Sequence, residues 1–207
     1  MKQKKAKAPK GGESRIYQSA DGSWYEQRGK GESKCIDEEI PFDIPESWAW
    51  ARMDELITLL SGIDLKPNEY NNSHEGIPYI TGASNFNNGE VIENRWTESP
   101  KRISDQGDLL FTCKGTVGQI AFNPFARAHI ARQVMAVKPI NYDTMGYIKI
   151  TLSAQVKRIE NAARGVIPGI ERSTILNGLV SVPPLAEQER IVGRVDEIMS
   201  LLDKALN

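Results

Sequence analysis

Residues 44–50 (Ile44-Pro45-Glu46-Ser47-Trp48-Ala49-Trp50) alternate large apolar with small or polar side chains, the two-residue period of a half-buried strand. Beyond them Asp54 can cap a short helix whose Leu56, Ile57 and Leu60 share a face, with Gly62 as its stop. Ile77-Pro78-Tyr79-Ile80 predicts a short strand that opens into a stretch rich in Gly, Asn, Ser and Thr, residues 81–100. Residues 108–113 and 119–122 read as strands joined by Lys114-Gly115-Thr116-Val117-Gly118, whose two glycines suit a tight turn. Residues 133–138 form another apolar run, closed by Pro139. Asp143 then caps a predicted helix with Met145, Ile148, Leu152, Val156 and Ile159 on one face, and Ser173 caps a short one. Leu179 to Val182 makes a last strand before Pro183-Pro184.

The closing segment is the most regular. Gln188, Ile191, Val195, Ile198, Leu202 and Ala205 follow alternating steps of three and four, a heptad seam, with Val192, Met199 and Leu206 as a flanking stripe. A stripe this wide is covered either by its own domain or by another helix. The strict seven-residue repeat favours a helix, and no second copy of the segment lies within the chain. The first forty residues contrast with this. Met1 to Lys10 carries five lysines and no acid, and the polar text that follows lacks the apolar content to offset ordering entropy. A flexible or loosely docked leader is expected over residues 1–40, with Trp24 and Tyr25 as possible anchors.

Composition narrows the function classes. The 207 residues are 40% hydrophobic and 26% charged, enough for one domain with a real core plus appendages. Apolar runs are only a few residues long, so neither a membrane span nor a secretory signal is expected, and the chain reads as cytoplasmic. Cys35 and Cys113 cannot build a disulfide scaffold, and with only His74 and His129 beside them no protein-borne transition metal is expected.

Enzyme signatures fail one by one. Neither a phosphate-binding G-x-x-x-x-G-K-S/T loop nor a G-x-G-x-x-G turn after a strand is present. Phe122-Asn123-Pro124-Phe125 resembles an amino-methyltransferase motif but lacks its second proline and an upstream glycine-rich loop. Asp108 opens a strand as a restriction-type nuclease acid would, yet Thr112 stands where the second acid should precede Lys114, so a hard cation loses a ligand. His74 and His129 have no evident nucleophile and read as satisfied or solvated side chains. Neither catalytic nor metal-ligating residues are assigned.

Binding chemistry fits better. The net charge is −1, but positives cluster. Lys101, Arg102, Lys114, Arg127 and Arg132 face only Asp105 and Asp108 between residues 101 and 133, and residues 149–172 carry five more cations against two glutamates. Such a local excess can make a phosphate-facing side on a neutral protein, although a solvated face is the commoner outcome. The loop 82–97, the turn 114–116 and the strip 127–133 supply every residue type that reads groove edges.

The residues then resemble a family. P-F-D-I-P-E-S-W-A-W at residues 41–50, G-I-P-Y-I-T-G at 76–82, G-D-L-L-F-T-C-K-G-T-V-G at 107–118, R-Q-V-M-A-V-K-P at 132–139 and V-P-P-L-A-E-Q-E-R-I-V at 182–192 occur in order. Together they resemble the DNA specificity (S) subunit of type I restriction–modification enzymes, as one target recognition domain with its following conserved helix. The resemblance runs from about Glu38 to Asn207.

It implies an α+β fold: a mixed target recognition domain (41–184) with a twisted, largely antiparallel sheet, followed by a heptad coiled-coil helix (185–207). It implies a non-catalytic reader of one half of a split site on double-stranded DNA. Methyltransferase (M) subunits would dock on it and bring the restriction (R) subunit, and AdoMet, ATP and Mg²⁺ would reside on those partners. A complete S subunit has two recognition domains, so this chain is expected to be a fragment or a half-size subunit that forms a homodimer through its helix. Ile191, Val195, Ile198 and Leu202 are the expected helix-pairing residues. Asn85, Asn87, Arg95, Lys114, Thr116, Arg132 and Arg164 are the expected DNA-contacting ones, chosen from loops because the family's recognition loops vary. The rival expectation is a non-catalytic scaffolding or regulatory fragment that pairs through the helix without reading DNA.

Overall fold

A computed structural model describes residues 12–162 and 169–206. In chain order the strands are β1 (Ser14–Gln18), β2 (Trp24–Arg28), β3 (Lys34–Cys35), β4 (Ala49–Arg52), β5 (Ile57–Ser61), β6 (Ile77–Ile80), β7 (Phe86–Asn87), β8 (Glu90–Val91), β9 (Trp96–Thr97), β10 (Ile103–Asp105), β11 (Leu109–Thr112), β12 (Ile120–Phe122), β13 (Arg127–Ile130), β14 (Val134–Pro139) and β15 (Leu179–Val182). The helices are α1 (Met145–Ala162), α2 (Arg172–Leu176) and α3 (Leu185–Leu206). The fold is mixed α and β with mostly antiparallel pairing, as the sequence suggests.

The chain divides into two compact units, one of Met1–Leu56, Ile140–Thr151 and Leu176–Asn207, the other of Ile57–Pro139 and Leu152–Ile175. This departs from the expected division at residues 40 and 184. The reason is pairing: β4 bonds to β15 with Trp50 opposite Ser181, and Met53 N donates to Gly178 O at 2.9 Å, so the entry and exit segments join one unit.

Of the expected flexible or loosely docked leader, residues 1–11 lie outside the described residues, and residues 14–35 form an antiparallel meander in the first unit. β1 pairs with β2 (Tyr17 opposite Tyr25) and β2 with β3. Gly22 at φ 89° turns the first hairpin. Its polar strands are held by ion pairs rather than by apolar burial. The buried Arg52 of β4 bonds Glu26 at 2.6 Å and Glu39 at 2.7 Å, while Arg28 bonds Asp54 at 3.0 Å. Ile36, Trp50, Met53, Ile148 and Val180 are buried in this unit. Tyr147 Oη donates to Ser181 O at 2.6 Å.

The second unit is built on two four-stranded sheets, ordered β12-β11-β14-β5 and β10-β13-β6-β9. The first is antiparallel throughout, and the second holds a parallel pair, β13 with β6. Ile80, Val91, Leu110, Ala121, Ile130, Val134 and Ala136 form one of its core clusters. Residues 57–61 are thus a strand, not the expected helix. Met53–Glu55 is only a 3-10 turn before it. A short run such as Ile57-Thr58-Leu59-Leu60-Ser61 satisfies both periods, and pairing with β14 decides between them. Gly62 ends no helix: a Cβ there would lie 2.0 Å from Ala131 O, so this backbone crossing admits no side chain. The cap before α1 is Asn141, whose side chain accepts from Asp143 N, rather than Asp143.

Candidate nucleic-acid interface

In the second unit several strands terminate at one edge. β5 ends at Ser61 opposite Met135, β11 ends at Thr112 opposite Val134, and β6 and β13 end together at Ile80 and Ile130. Backbone bonds stitch these ends: Ala131 N to Ile80 O at 2.9 Å, Ile63 N to Ile130 O at 3.0 Å, Cys113 N to Gln133 O at 2.8 Å and Ile170 N to Cys113 O at 2.8 Å. Four connecting segments therefore emerge side by side: residues 81–95, which hold the β7–β8 hairpin, 114–118, 131–133 and 169–171. Loops on a fixed frame are where binding groups concentrate.

The turn after β11 is open to solvent at residues 114–116. Gly118 N donates to Thr112 O at 3.0 Å and Gln119 N to Thr112 Oγ1 at 3.0 Å, closing it beneath exposed Lys114 and Thr116. Gly115 adopts φ 72°, which an L side chain resists, and nothing lies within 4 Å of where its Cβ would be. Among the described residues no acid pairs with Lys114. Cys113 just before it is buried, with its thiol against the carbonyls of Arg132 and Gln133, and burial pushes the thiol pKa up. Arg132 stands at the same edge, 2.9 Å from Asp64, and both side chains are largely exposed. Such a pair contributes little to stability and leaves the guanidinium open to a competing anion.

The structure removes Asn85 from the expected DNA contacts. It is fully buried. Its Oδ1 accepts from Thr81 N at 2.8 Å and Thr81 Oγ1 at 3.0 Å, and its Nδ2 donates to Ile92 O at 2.9 Å and Asn94 Oδ1 at 3.1 Å. The amide is spent on closing the root of the β7–β8 hairpin. Beyond that root, Asn87 is exposed beside the Asn88-Gly89 tip, where φ values of 47° and 81° mark a hairpin turn. Arg95 is exposed too, but its guanidinium sits 5.0 Å over the Tyr70 ring. Arg164 lies outside the described residues. The set is thus split: Lys114, Thr116 and Arg132 share the strand-end edge, Asn87 marks a hairpin tip, and Arg95 stacks on Tyr70. The expected basic strip 127–133 also breaks, since Ala128, His129 and Ile130 are buried and Arg127 belongs to the opposite end of β13.

Groups that resembled catalytic residues serve the frame. Buried Asp108 accepts from Asp105 N at 2.8 Å, Ser104 Oγ at 3.1 Å and Lys138 Nζ at 2.6 Å. Burial opposes the charge of Lys138, but its two aspartate partners outweigh that and raise its pKa. Asn123 donates to Ser104 O at 3.2 Å and Asp105 O at 3.1 Å. His129 is fully buried; its Nδ1 accepts from Lys101 N at 3.2 Å and Arg102 N at 3.1 Å, and its Nε2 faces Ile63 O at 2.9 Å. That pattern requires the neutral ring with its proton on Nε2. Among the described residues, no group of three or more His, Cys, Asp or Glu side chains is placed to hold a metal ion.

Sequence reasoning missed Arg172 and Ser61. Arg172 Nη1 donates to Leu59 O at 2.7 Å and Ser61 Oγ at 3.1 Å, which brings it to the same edge from more than a hundred residues away. The basic stretch 149–172 was the available signal, but nothing in it singles out this arginine.

A family model described as the type I restriction modification DNA specificity domain matches residues 45–207. The chain belongs to this family. Among its curated relatives, the putative type I restriction enzyme MjaX specificity subunit of Methanocaldococcus jannaschii is 24% identical over 165 residues, covering 78% of this chain and 39% of the relative. The type I restriction enzyme EcoEI specificity subunit of Escherichia coli is 26% identical over 196 residues, covering 83% and 31%. The crystal structure of the HsdS subunit from Thermoanaerobacter tengcongensis shares the fold, with a TM-score of 0.65 at 23% identity over 79% of this chain and 40% of that one. The chain spans less than half the length of these relatives. In this specificity-domain protein, the matched region begins just before β4 and extends through α3.

The helix assigned to pairing is divided along its length. Gln188 is buried with Nε2 on Pro183 O at 2.9 Å, and Val192 packs where a Cβ on Gly146 would meet it at 3.1 Å. Ile191 and Val195 are half-buried. Ile198, Met199, Leu201 and Leu202 are 44–58% exposed, so the apolar stripe is uncovered over the last two turns. Among the described residues no helix is long and apolar enough to cross a membrane.

Proposed function

We propose that this protein reads DNA sequence for a type I restriction–modification complex and performs no chemistry itself. The family match over residues 45–207 carries the reading. The strand-end edge supports it with Lys114, Thr116 and Arg132 on a rigid frame, beside the Asn87 hairpin. In this reading the cations position the protein on backbone phosphates, and amides and hydroxyls on the loops read base edges. One recognition domain reads one half of a split site. The uncovered end of α3, with Ile198 and Leu202, pairs with a like helix and offers a platform to M subunits, through which the R subunit joins. Pairing of two copies would turn one recognition domain into the reader of a two-fold symmetric split site. AdoMet, ATP and Mg²⁺ are assigned to the partner chains.

A binding selection on a randomised duplex library, run with the M subunit present, tests this. Enrichment of a short defined sequence is expected, while the chain alone should neither methylate nor cleave DNA. Recovery of unenriched library, or turnover by the purified chain, would refute the reading.

A further inference from the structure

At the strand-end edge a cavity of about 560 Å³ opens between the end of β5 and the approach to α2, lined by Ser61, Lys114, Met135, Ile170, Glu171 and Arg172 among others. Its lining is mostly apolar, with Lys114, Glu171 and Arg172 as the charged members. Arg172 is not free to swing: two bonds from Nη1, to Leu59 O at 2.7 Å and Ser61 Oγ at 3.1 Å, tether it to β5. A guanidinium carries five N–H donors, so Nε and Nη2 remain without a partner among the described residues. Ser61 Oγ accepts from Arg172, which leaves its own proton to donate elsewhere. Lys114 brings a second cation from the turn after β11, again with no acidic partner among the described residues. Against these stands one carboxylate, Glu171, which accepts from Ser173 Oγ at 3.4 Å. The excess is one positive charge, with donors contributed by three separate segments of chain that line the same cavity. That chemistry suits a singly charged tetrahedral oxyanion.

We propose that Lys114, Arg172 and Ser61 together hold one backbone phosphodiester of a DNA duplex at the mouth of this cavity. The assignment rests on the DNA-reading function above and goes further by naming a contact that positions the duplex without reading bases. A phosphate gripped here fixes the register in which the neighbouring Arg132 link and the β7–β8 hairpin meet the grooves.

The test compares the full chain, with its M subunit, to Lys114→Gln, Arg172→Gln and the double variant. Arg172→Gln loses the charge and keeps an amide N–H, which ends two bonds short of the Nη1 that bonds Leu59 O. Binding of a mixed-sequence duplex is measured against salt concentration. Each single variant should bind severalfold more weakly and flatten the slope of log affinity against log salt by up to about 0.9, the value for one phosphate. The double variant should flatten it no further than that, because both cations serve one phosphate. The sequence enriched from a random library should not change. An unchanged slope, a double-variant loss near twice the single, or a changed sequence preference overturns the proposal. So does competition by inorganic phosphate or ATP beyond that of chloride at equal ionic strength, which would make the ligand a free phosphate. If Arg172→Gln unfolds, Lys114→Gln decides alone, since Lys114 anchors nothing among the described residues. Failure of the unsubstituted complex to bind any duplex sinks the DNA-reading function itself, and this proposal with it.

Discussion

Arg52 Nη2 lies 2.6 Å from Glu26 Oε2, joining a strand of the N-terminal meander to the buried arginine of β4. Both groups are nearly out of water, and the same guanidinium reaches Glu39 and the carbonyl of Asn177. Removing one partner of a buried pair leaves the other charge uncompensated, at a cost of about 3–5 kcal/mol. Arg52→Leu is therefore expected to destabilise the first unit by about 3 kcal/mol, because Arg28 and Ser14 still hold Glu26. Burial raises the Glu26 pKa, but bonds from Arg52 and Ser14 and the nearby guanidinium charges prevail and hold it below its usual range. Its stabilisation is then complete above about pH 4.3 and fades as the pH falls through the lower folded value. Acid unfolding followed by Trp24 fluorescence checks both points, and Arg52→Leu should begin unfolding at higher pH.

His129 predicts a second pH dependence, in the other unit. Burial is the main force lowering its pKa, with the Lys101 charge acting in the same direction and the Ile63 carbonyl contact opposing. The unfolded chain takes up a proton below about pH 6.5 and the folded chain resists it, so stability is complete above that value and declines below it. Thermal melts between pH 5 and 7.5, on the order of that window, should show this slope, and His129→Gln should be less stable yet flatter across it. An equal slope in the variant would assign the effect elsewhere.

Asn85 should behave as a positioning residue for the β7–β8 hairpin. Asn85→Ala strands several buried donors and acceptors, at about 1–3 kcal/mol each before relaxation. Expected outcomes are a lower melting temperature and loss of DNA sequence preference, with affinity for mixed-sequence duplex largely kept. Asn87→Ala should change preference with no change in melting temperature. If Asn85→Ala leaves preference intact, the hairpin takes no part in reading.

The two ends of α3 should separate in mutagenesis. Ile198→Asp with Leu202→Asp alters only exposed positions, so the fold should hold while association with a second copy or an M subunit is lost. Val192→Asp places a charge against Gly146 and should unfold the first unit. Sedimentation and circular dichroism on both variants distinguish the two effects. Persistent association of the Ile198/Leu202 variant would reject the pairing face.

How far the sequence could be read depended on how locally each element is determined. β6, β11, β14 and β15 are apolar runs bounded by Gly or Pro, and α3 carries an unbroken heptad, so each was legible from its own residues. The run 57–61 was misread because only its partner β14 tells strand from helix there. The meander at residues 14–35 was missed because its strands are stapled by Arg52 and Asp54, residues far along the chain. Two-residue strands such as Trp96–Thr97 carry no period at all. At the strand-end edge, the exposure of Lys114, Thr116 and Arg132 was legible because glycines and cations in short connections are visible locally. Asn85 was misjudged for the opposite reason: a buried amide and a solvent-facing one are the same letter, and only Thr81, Ile92 and Asn94 distinguish them.

The stitched strand ends have an evolutionary corollary. Because loop roots are pinned by backbone bonds that ask little of side-chain identity, new target preferences can arise by swapping loop tips while the underlying scaffold stays as it is. Asn85 sets the boundary of such exchange. A transplanted 81–95 segment has to bring its own internal amide clasp, whereas the turn at 114–118 can be rewritten freely between its glycines.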